Sequence, residues 1–240
     1  LLDSIANVEK ERKATLVHQQ IVKNKEKQRN IFIIAGCFAL ILAIAIFITI
    51  FLYILSTFLG LIGLVLSIWV YYFFRDPERI SINNENYLTS PADGEVLMVH
   101  EVDGPKELGL EDRKFTKISI FMNVFDCHVN RTPCEGKISE ILYKPGKFLN
   151  ASLDKASEDN ERNYYKITNS HGEEIIVVQI AGLIARRIVC ESSKDQQLQQ
   201  GERIGMIRFG SRADVYFENY EPLVKVGQKT IAGETLLAKK

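Results

Sequence analysis

The longest feature of the hydrophobic pattern is a run of 44 residues, 31–74, that contains no Asp, Glu, Lys, Arg or His. A membrane-spanning helix needs about 20 apolar residues, so this run is long enough to cross a bilayer twice. It is too long for a cleaved signal peptide. Small and polar residues gather at 56–60 and predict a turn there. We therefore expect a hairpin of two transmembrane helices, about 31–53 and 58–74.

The residues that flank this run predict its orientation. Residues 1–30 hold seven Lys and Arg against four Asp and Glu, and read as a charged, helical arm. Arg75 and Arg79 follow the run directly. Because positive residues favour the cytoplasmic side, both ends are expected in the cytoplasm. The pattern thus predicts a cell-membrane protein with a cytoplasmic arm and a main domain, 75–240, held against the inner bilayer surface.

Residues 75–240 change to short alternating patterns that are typical of β-strands. Turn residues such as Asp93-Gly94, Pro145-Gly146 and His171-Gly172 separate them. Residues 185–200 are expected to form a short helix or a loop. The fold class predicted is a mostly β, barrel-like or sandwich-like domain that follows a helical transmembrane hairpin. The predicted strands are 94–102, 115–123, 136–144, 173–181, 208–217 and 234–239.

Composition narrows the candidate partners. Lys plus Arg and Asp plus Glu are both 30, so no basic excess is available for nucleic acid. The four cysteines form no CxxC pair and are read as free thiols in a reducing compartment. Cys127, His128 and Cys134 do not have the spacing of a zinc site, so no metal is predicted. The chain begins with Leu1, as a fragment or a chain without its natural start would.

One strand pattern, GMIRFGSRADVYF at 205–217, contains an unexpected glycine and serine, Gly210 and Ser211. One interpretation is a β-bulge. The other is chemical, because a serine hydroxyl can attack the carbonyl of the residue before it. The resulting ester can eliminate, and the chain is then cut and left with an N-terminal pyruvoyl group. A small preceding residue, a base and oxyanion donors would all be needed.

The surrounding motifs resemble those of the phosphatidylserine decarboxylase family in its shorter, membrane-associated form. They occur in the family's order and cover nearly all of 73–238. The resemblance implies self-cleavage between Gly210 and Ser211 into chains 1–210 and 211–240 that stay associated. It implies a pyruvoyl cofactor derived from Ser211, which decarboxylates phosphatidylserine through a Schiff base to give phosphatidylethanolamine and CO2. The matching stretches are FFRDPER (73–79), SPADGEV (90–96), FMNVFDCHVNRTPCEGKI (121–138), YKPGKFLNASLDKASEDNERN (143–163), QIAGLIARRIV (179–189), GERIGMIRFGSRADVYF (201–217) and VGQKTIAGETLLA (226–238).

The resemblance also implies roles for two further catalytic residues. Asp93 matches an aspartate that supports self-cleavage, and with the resemblance this role is favoured over that of an ordinary Asp-Gly turn residue. His128 matches a motif histidine for proton transfer or substrate recognition. Many relatives carry a second histidine three residues later, and this chain has Arg131 there. Either His128 serves both steps, or Asp93 and the local backbone suffice for cleavage.

Several residues and one other function stay open. Arg131, Lys144, Lys147 and Arg162 are candidates for binding the lipid phosphate or carboxylate, or are ordinary surface charges. His100 and His171 match no motif and are taken as structural. The alternative function is an uncleaved, non-catalytic lipid-binding or biotinyl/lipoyl-like module, although no Met-Lys-Met stretch is present. The expected partners are phosphatidylserine and the bilayer, and a homo-oligomer stays open.

Overall fold

A single long helix forms the N-terminal part of the computed structural model, which describes residues 2–152, 158–183, 187–208 and 211–240. The chain divides into two units, Leu1–Ser67 and Ile68–Lys240. Helix α1 runs from Leu2 to Phe73 without interruption. Its part Thr15–Phe73 is long and apolar enough to cross a membrane by length and composition.

The predicted hairpin of two helices is wrong for this structure, because no turn occurs at 56–60. Ser56 Oγ and Thr57 Oγ1 donate hydrogen bonds to the Tyr53 carbonyl at 2.8 and 2.9 Å. Hydroxyls that bond to a carbonyl one turn earlier are satisfied inside a helix and do not require the chain to turn. The predicted helical arm is confirmed as helix from residue 2 onward.

The described residues of the second unit form fourteen strands, and eight of them make one antiparallel sheet in the order β13-β2-β3-β11-β7-β6-β5-β9. Two smaller sheets have the orders β4-β10-β8 and β1-β14-β12. A short 3-10 helix covers Lys106–Leu108. The strands are β1 Tyr87–Thr89, β2 Gly94–Asp103, β3 Lys114–Met122, β4 Val129–Arg131, β5 Gly136–Lys144, β6 Arg162–Thr168, β7 Glu174–Ile180, β8 Ile188–Cys190, β9 Gln197–Leu198, β10 Arg203–Ile207, β11 Ser211–Phe217, β12 Glu221–Pro222, β13 Lys229–Thr230 and β14 Leu236–Lys239.

Most of the predicted strands are confirmed, including the mostly β class of the domain. The predicted strand 208–217 is corrected, because β10 ends at Ile207 and β11 begins at Ser211 in a different sheet. A strand at 162–168 was missed, since RNYYKIT mixes charged and aromatic residues without a clean alternation. Residues 188–190 and 197–198 are short strands within the region predicted as helix or loop.

Strand β11 lies in the middle of the large sheet and is buried along its whole length. Alternate side chains point to opposite faces of a strand. Ala213, Val215 and Phe217 therefore share one face with Ser211 and pack into the larger hydrophobic cluster. Arg212, Asp214 and Tyr216 point to the other face, where Tyr216 joins a smaller cluster. The sequence of β11 thus places Ser211 on the main-core face.

Candidate active site at one end of the large sheet

The structure places Ser211 where the chain passes from one sheet into another. It is the first residue of β11 and pairs with Met122, the last residue of β3. On the other side of β11, Arg212 pairs with Ile180, the last residue of β7. The peptide bond before Ser211 therefore lies at this sheet end, in the connection between β10 and β11. Its other member, Gly210, lies outside the described residues.

The Ser211 side chain is fully buried beside a sulfur atom. Its Oγ lies 3.9 Å from Met122 Sδ. Asn130 Nδ2 approaches the same sulfur at 3.6 Å. A thioether is only a weak hydrogen-bond acceptor, so this contact holds the hydroxyl loosely. The Ser211 hydroxyl is thus shielded from water and, among the described residues, only weakly bonded.

A chain of buried amides fixes the Asn130 side chain. Gln179 Nε2 donates to Asn130 Oδ1 at 2.9 Å, so the Asn130 amide nitrogen points toward Met122. Tyr165 OH lies 3.0 Å from Gln179 Oε1. Both amides are fully buried, where a satisfied polar network holds its members in one arrangement. Asn130 was not singled out from the sequence, because a lone asparagine in a motif gives no sign of such a network.

His128 lies beside the segment that leads to Ser211. The Ile207 N–H donates to the His128 carbonyl at 3.3 Å. The imidazole is buried, and its ring centroid lies 4.4 Å from that of Phe73, in the last turn of α1. Its Nδ1 lies 2.9 Å from the Asp126 carbonyl oxygen. A carbonyl can only accept, so Nδ1 carries the proton and Nε2 presents its lone pair.

Burial sets the charge of this histidine. Loss of solvent disfavours the imidazolium and lowers the pKa of His128 from 6.5 to about 4. The Asp126 carbonyl raises the pKa, but by less than burial lowers it. His128 Nε2 is buried and has no hydrogen-bond partner among the described residues. The side chain is therefore a neutral base with an available acceptor nitrogen.

Asp93 lies at the same end of the sheet, and its carboxylate is bonded to Arg79 and to the backbone at Ala232. It precedes β2, in which Glu95 pairs with Phe121 next to Met122. Its Oδ2 accepts from Arg79 Nη2 at 2.8 Å, and its Oδ1 accepts from the Ala232 N–H at 2.8 Å. The next residue, Gly94, is needed there, because a Cβ would lie 2.2 Å from the Phe121 carbonyl oxygen. The bonds hold Asp93 as a support for this sheet end.

Arg131 is buried, and its guanidinium group links separate segments of the second unit. Its guanidinium donates to Asp76 Oδ1 at 2.8 Å and to the carbonyl oxygens of Pro77 and Gly201 at 3.0 Å each. Arg203 also pairs with Asp76. These bonds tie the segment after α1 to the β domain. The candidate lipid-binding cation Arg131 is therefore engaged in structural bonds, and His128 is the one imidazole of the stretch 121–138.

The other predicted lipid-binding cations lie elsewhere or are exposed. Lys144 and Arg162 line a cavity of about 430 Å³ together with Arg212, on the sheet face opposite Ser211. Lys144 pairs with Glu107 there at 2.8 Å. Lys147 makes an exposed pair with Asp159. The structure does not bring these predicted residues together with Ser211.

Arg208 is a nearby cation that the sequence did not single out. It lies three residues before Ser211, and its guanidinium carbon is 5.8 Å from the ring centroid of Phe74. Its backbone N–H donates to the Arg187 carbonyl at 3.2 Å. Its Nε is buried and has no hydrogen-bond partner in the part of the chain that the structure describes.

Comparison with known proteins identifies the family of this chain. The phosphatidylserine decarboxylase family model matches residues 66–238. A phosphatidylserine decarboxylase proenzyme of Pelagibacter ubique (strain HTCC1062) is 97% identical over 199 residues, which are 83% of this chain and 93% of the relative. The chain belongs to the phosphatidylserine decarboxylase family. Its second unit, Ile68–Lys240, coincides closely with the region that the family model matches.

More distant relatives carry the same name. A phosphatidylserine decarboxylase proenzyme of Ruegeria pomeroyi is 57% identical over 80% of this chain and 88% of its own length. One of Cereibacter sphaeroides is 54% identical over 81% of this chain and 85% of its own length. Membership in this enzyme family confirms the predicted resemblance and argues against the alternative of a non-catalytic carrier module.

Proposed function

We propose that this protein decarboxylates phosphatidylserine to phosphatidylethanolamine and CO2 with a pyruvoyl group made from its own Ser211. The 97% identity to a relative named phosphatidylserine decarboxylase proenzyme carries the substrate and the reaction. The word proenzyme in that name also supports a cut in the chain. The geometry around Ser211 supports the place of the cut.

The cut follows from the chemistry of Ser211 and His128. The Ser211 Oγ bonds to the Gly210 carbonyl carbon while His128 Nε2 takes the hydroxyl proton. The peptide C–N bond breaks, which leaves an ester and a free amine at residue 211. Loss of the α-proton of residue 211 then expels the Gly210 carboxylate and leaves dehydroalanine. Water replaces the nitrogen, which departs as ammonia, and a ketone remains.

The sheet explains why the two chains would stay together. After the cut, residues 211–240 would keep β11 between β3 and β7, with ladders on both sides. β13 pairs with β2, and β14 pairs with β1. Release of the smaller chain would expose strands that are buried in the core, so association is strongly favoured.

The residues present fit a pyruvoyl group at position 211. The side chain there is buried, and the unpartnered His128 Nε2 marks an acceptor that substrate or product could engage. When formed, the pyruvoyl group supplies a ketone that condenses with an amine and withdraws electrons as CO2 leaves. The chain's own part is to exclude water with the Met122 and Phe73 side chains and to hold or release a proton at His128 Nε2.

We also propose that α1 anchors the enzyme in the cell membrane, with residues 68–240 on the cytoplasmic side. Basic residues flank 31–74 at both ends, so their charge does not select a side for one uninterrupted helix. The free cysteines of residues 68–240, typical of a reducing compartment, support the cytoplasmic side. Trp69, Tyr71 and Tyr72 lie in the last turns of α1, where aromatic side chains favour the bilayer interface. Phosphatidylserine could then reach Ser211 from the bilayer.

The experiment is a decarboxylation assay on the full chain in phosphatidylserine vesicles whose serine carboxyl carbon is labelled. Labelled CO2 and phosphatidylethanolamine should form with the wild type and not with Ser211→Ala. Ser119→Ala is the matched control, because Ser119 is also a buried serine and lies in the neighbouring strand β3. Its hydroxyl has no hydrogen-bond partner among the described residues. Turnover by Ser211→Ala would overturn the cofactor, and folded wild type without CO2 release would overturn the reaction.

A further inference from the structure

Two loops leave the large sheet at the end that carries Ser211. β3 and β7 flank β11 and run antiparallel to it, so both strands end where β11 begins. The loop after β3 presents Phe125, which is 63% exposed, and the loop after β7 presents Leu183, which is 64% exposed. Two large apolar side chains from separate segments thus stand in solvent at the same sheet end.

The end of α1 reaches this sheet end as well. Arg75 Nη2 donates to the Phe125 carbonyl at 2.8 Å, and the Cys127 thiol donates to the Arg75 carbonyl at 3.3 Å. Tyr71, one turn earlier, is 85% exposed. Tyr71, Phe125 and Leu183 are called the apolar rim below. The rim therefore combines the last turns of α1, from Ile68 onward, with the two loops at this end of the sheet.

The loop after β3 holds Phe125 outward by its own hydrogen bonds. Asp126 Oδ2 accepts from the Asn123 N–H at 2.8 Å and from Asn123 Nδ2 at 2.6 Å. The Phe125 N–H donates to Asn123 Oδ1 at 2.8 Å. These bonds close a tight turn in which the Phe125 ring stays mostly exposed. Exposure of this ring is thus built into the loop.

We infer that the apolar rim inserts into the bilayer interface beside the helix end, as a second membrane contact of the catalytic unit. A lone exposed apolar residue needs no explanation, but three from separate segments next to a membrane-spanning helix point to a common apolar environment. Aromatic side chains and arginine stems are favoured at this depth. The inferred occupant is the lipid surface itself.

Insertion of the apolar rim would also affect His128, because the loop that carries Phe125 also contacts the imidazole of His128. Asp126, which closes the turn, also places its carbonyl on His128 Nδ1 at 2.9 Å. Seating of Phe125 in the interface would therefore hold the imidazole where lipid head groups lie. This part rests on the proposed function, whereas the membrane contact itself does not require activity.

Tryptophan quenching by brominated lipids tests the contact. Trp69 is the single tryptophan of the chain, so Trp69→Phe gives a silent background for Phe125→Trp and, separately, Leu183→Trp. The control is His171→Trp, an exposed turn residue at the opposite end of β7. Each full-length variant is placed in phosphatidylcholine vesicles with and without bromine near the interface. Matching thermal melting with the wild type shows that each variant is folded.

We expect bromine to quench the tryptophans at 125 and 183, with blue-shifted emission, and to leave the one at 171 unchanged. Native Trp69 in the unmodified chain reports the helix anchor separately. If Trp69 is quenched and neither rim tryptophan is, the second contact is overturned while the anchor stands. If the tryptophan at 171 is quenched as strongly as the rim, the rim is not a specific contact and the inference fails.

Discussion

At pH 7 we expect only about one His128 side chain in a thousand to carry a proton, because its pKa is about 4. An ordinary histidine with a pKa of 6.5 would be about a quarter protonated at this pH. The neutral form matters because Nε2 must accept the Ser211 proton. The cause is burial, so the effect should persist in the resting protein without substrate.

The lowered pKa of His128 also makes the free energy of unfolding depend on pH. The folded pKa of His128 lies below the unfolded value, so the unfolded chain binds the proton first as pH falls. The stability that neutral His128 contributes is fully present above pH 6.5 and is lost between about pH 6.5 and 4. A shift from 6.5 to about 4 corresponds to about 3 kcal/mol. His128→Gln should lose this component of the acid sensitivity.

The assay is an NMR titration of the full chain in detergent with histidine labelled at the ring carbons. The chain has four histidines, so His128→Gln assigns the His128 signal by its absence. His171, which is half exposed beside Glu85, serves as an internal comparison. The His128 signal should stay in its neutral position down to about pH 5. A midpoint near 6.5 would refute the argument from burial, and with it the assignment of His128 as an unprotonated base.

Three further predictions follow from the contacts around the site. Arg131→Leu should lower the free energy of unfolding by about 2–4 kcal/mol in a denaturant titration, because buried hydrogen bonds of a charged group are lost. Lys147→Leu removes an exposed ion pair and should change the free energy of unfolding little. Equal effects would contradict the structural role of Arg131. Arg208 is a candidate for binding the lipid phosphate, because its buried Nε has no hydrogen-bond partner among the described residues. Arg208→Gln should therefore raise the KM for phosphatidylserine without preventing cleavage of the chain, whereas the exposed control Lys194→Gln should leave the KM unchanged. An unchanged KM in Arg208→Gln would exclude Arg208 from phosphate binding. Exposed Cys190 should react with a membrane-impermeant maleimide only after spheroplasts are permeabilised, with Cys190→Ser as the blank; labelling of intact spheroplasts would reverse the orientation.

The cysteine experiment depends on a difference among the thiols. Burial raises the pKa of Cys127, and it raises the pKa of Cys134 to about 12, so neither forms the reactive thiolate readily. Cys37 lies within the apolar part of α1. Cys190 is the exposed thiol of the β domain and therefore carries the signal.

The sequence predicted most strands because their patterns are local. GEVLMVHEV and GKISEILYK alternate clearly and end at turn residues, and both form strands close to the predicted bounds. The pattern at 205–217 gave a wrong strand boundary, because two strands that are close in sequence have the same hydrophobic pattern as one strand with an interruption. Their separation into two sheets depends on partners far away in the chain, such as Val129 for β10 and Met122 for β11.

The hairpin failed for a related reason. Hydroxyl and glycine residues at 56–60 are compatible with a turn and with a helix, and the helix satisfies the hydroxyls of Ser56 and Thr57 internally. A straight helix of the 44 uncharged residues is about 66 Å long, roughly twice the thickness of a bilayer core. Length alone could therefore predict a membrane segment but not the path of the chain.

The candidate site was predicted in part. Motif resemblance selected Ser211, His128 and Asp93, and the structure places all three at one end of the large sheet. The resemblance did not show that Arg131 is bonded to Asp76 and Gly201. It also did not show that Asn130 approaches the Met122 sulfur atom that the Ser211 hydroxyl contacts. The Arg131 bonds join residues 55 and 70 positions apart, and Ser211 contacts Met122 across 89 positions, so no local pattern encodes these roles.

Self-cleavage before Ser211 can be tested with an intact-mass spectrum of the purified full-length protein. We expect two chains for the wild type, with the smaller beginning at residue 211 and blocked by a ketone, and one uncut chain for Ser211→Ala. Ser119→Ala should be cut like the wild type. A single uncut wild-type chain, or a cut that persists in Ser211→Ala, would rule out self-cleavage by Ser211.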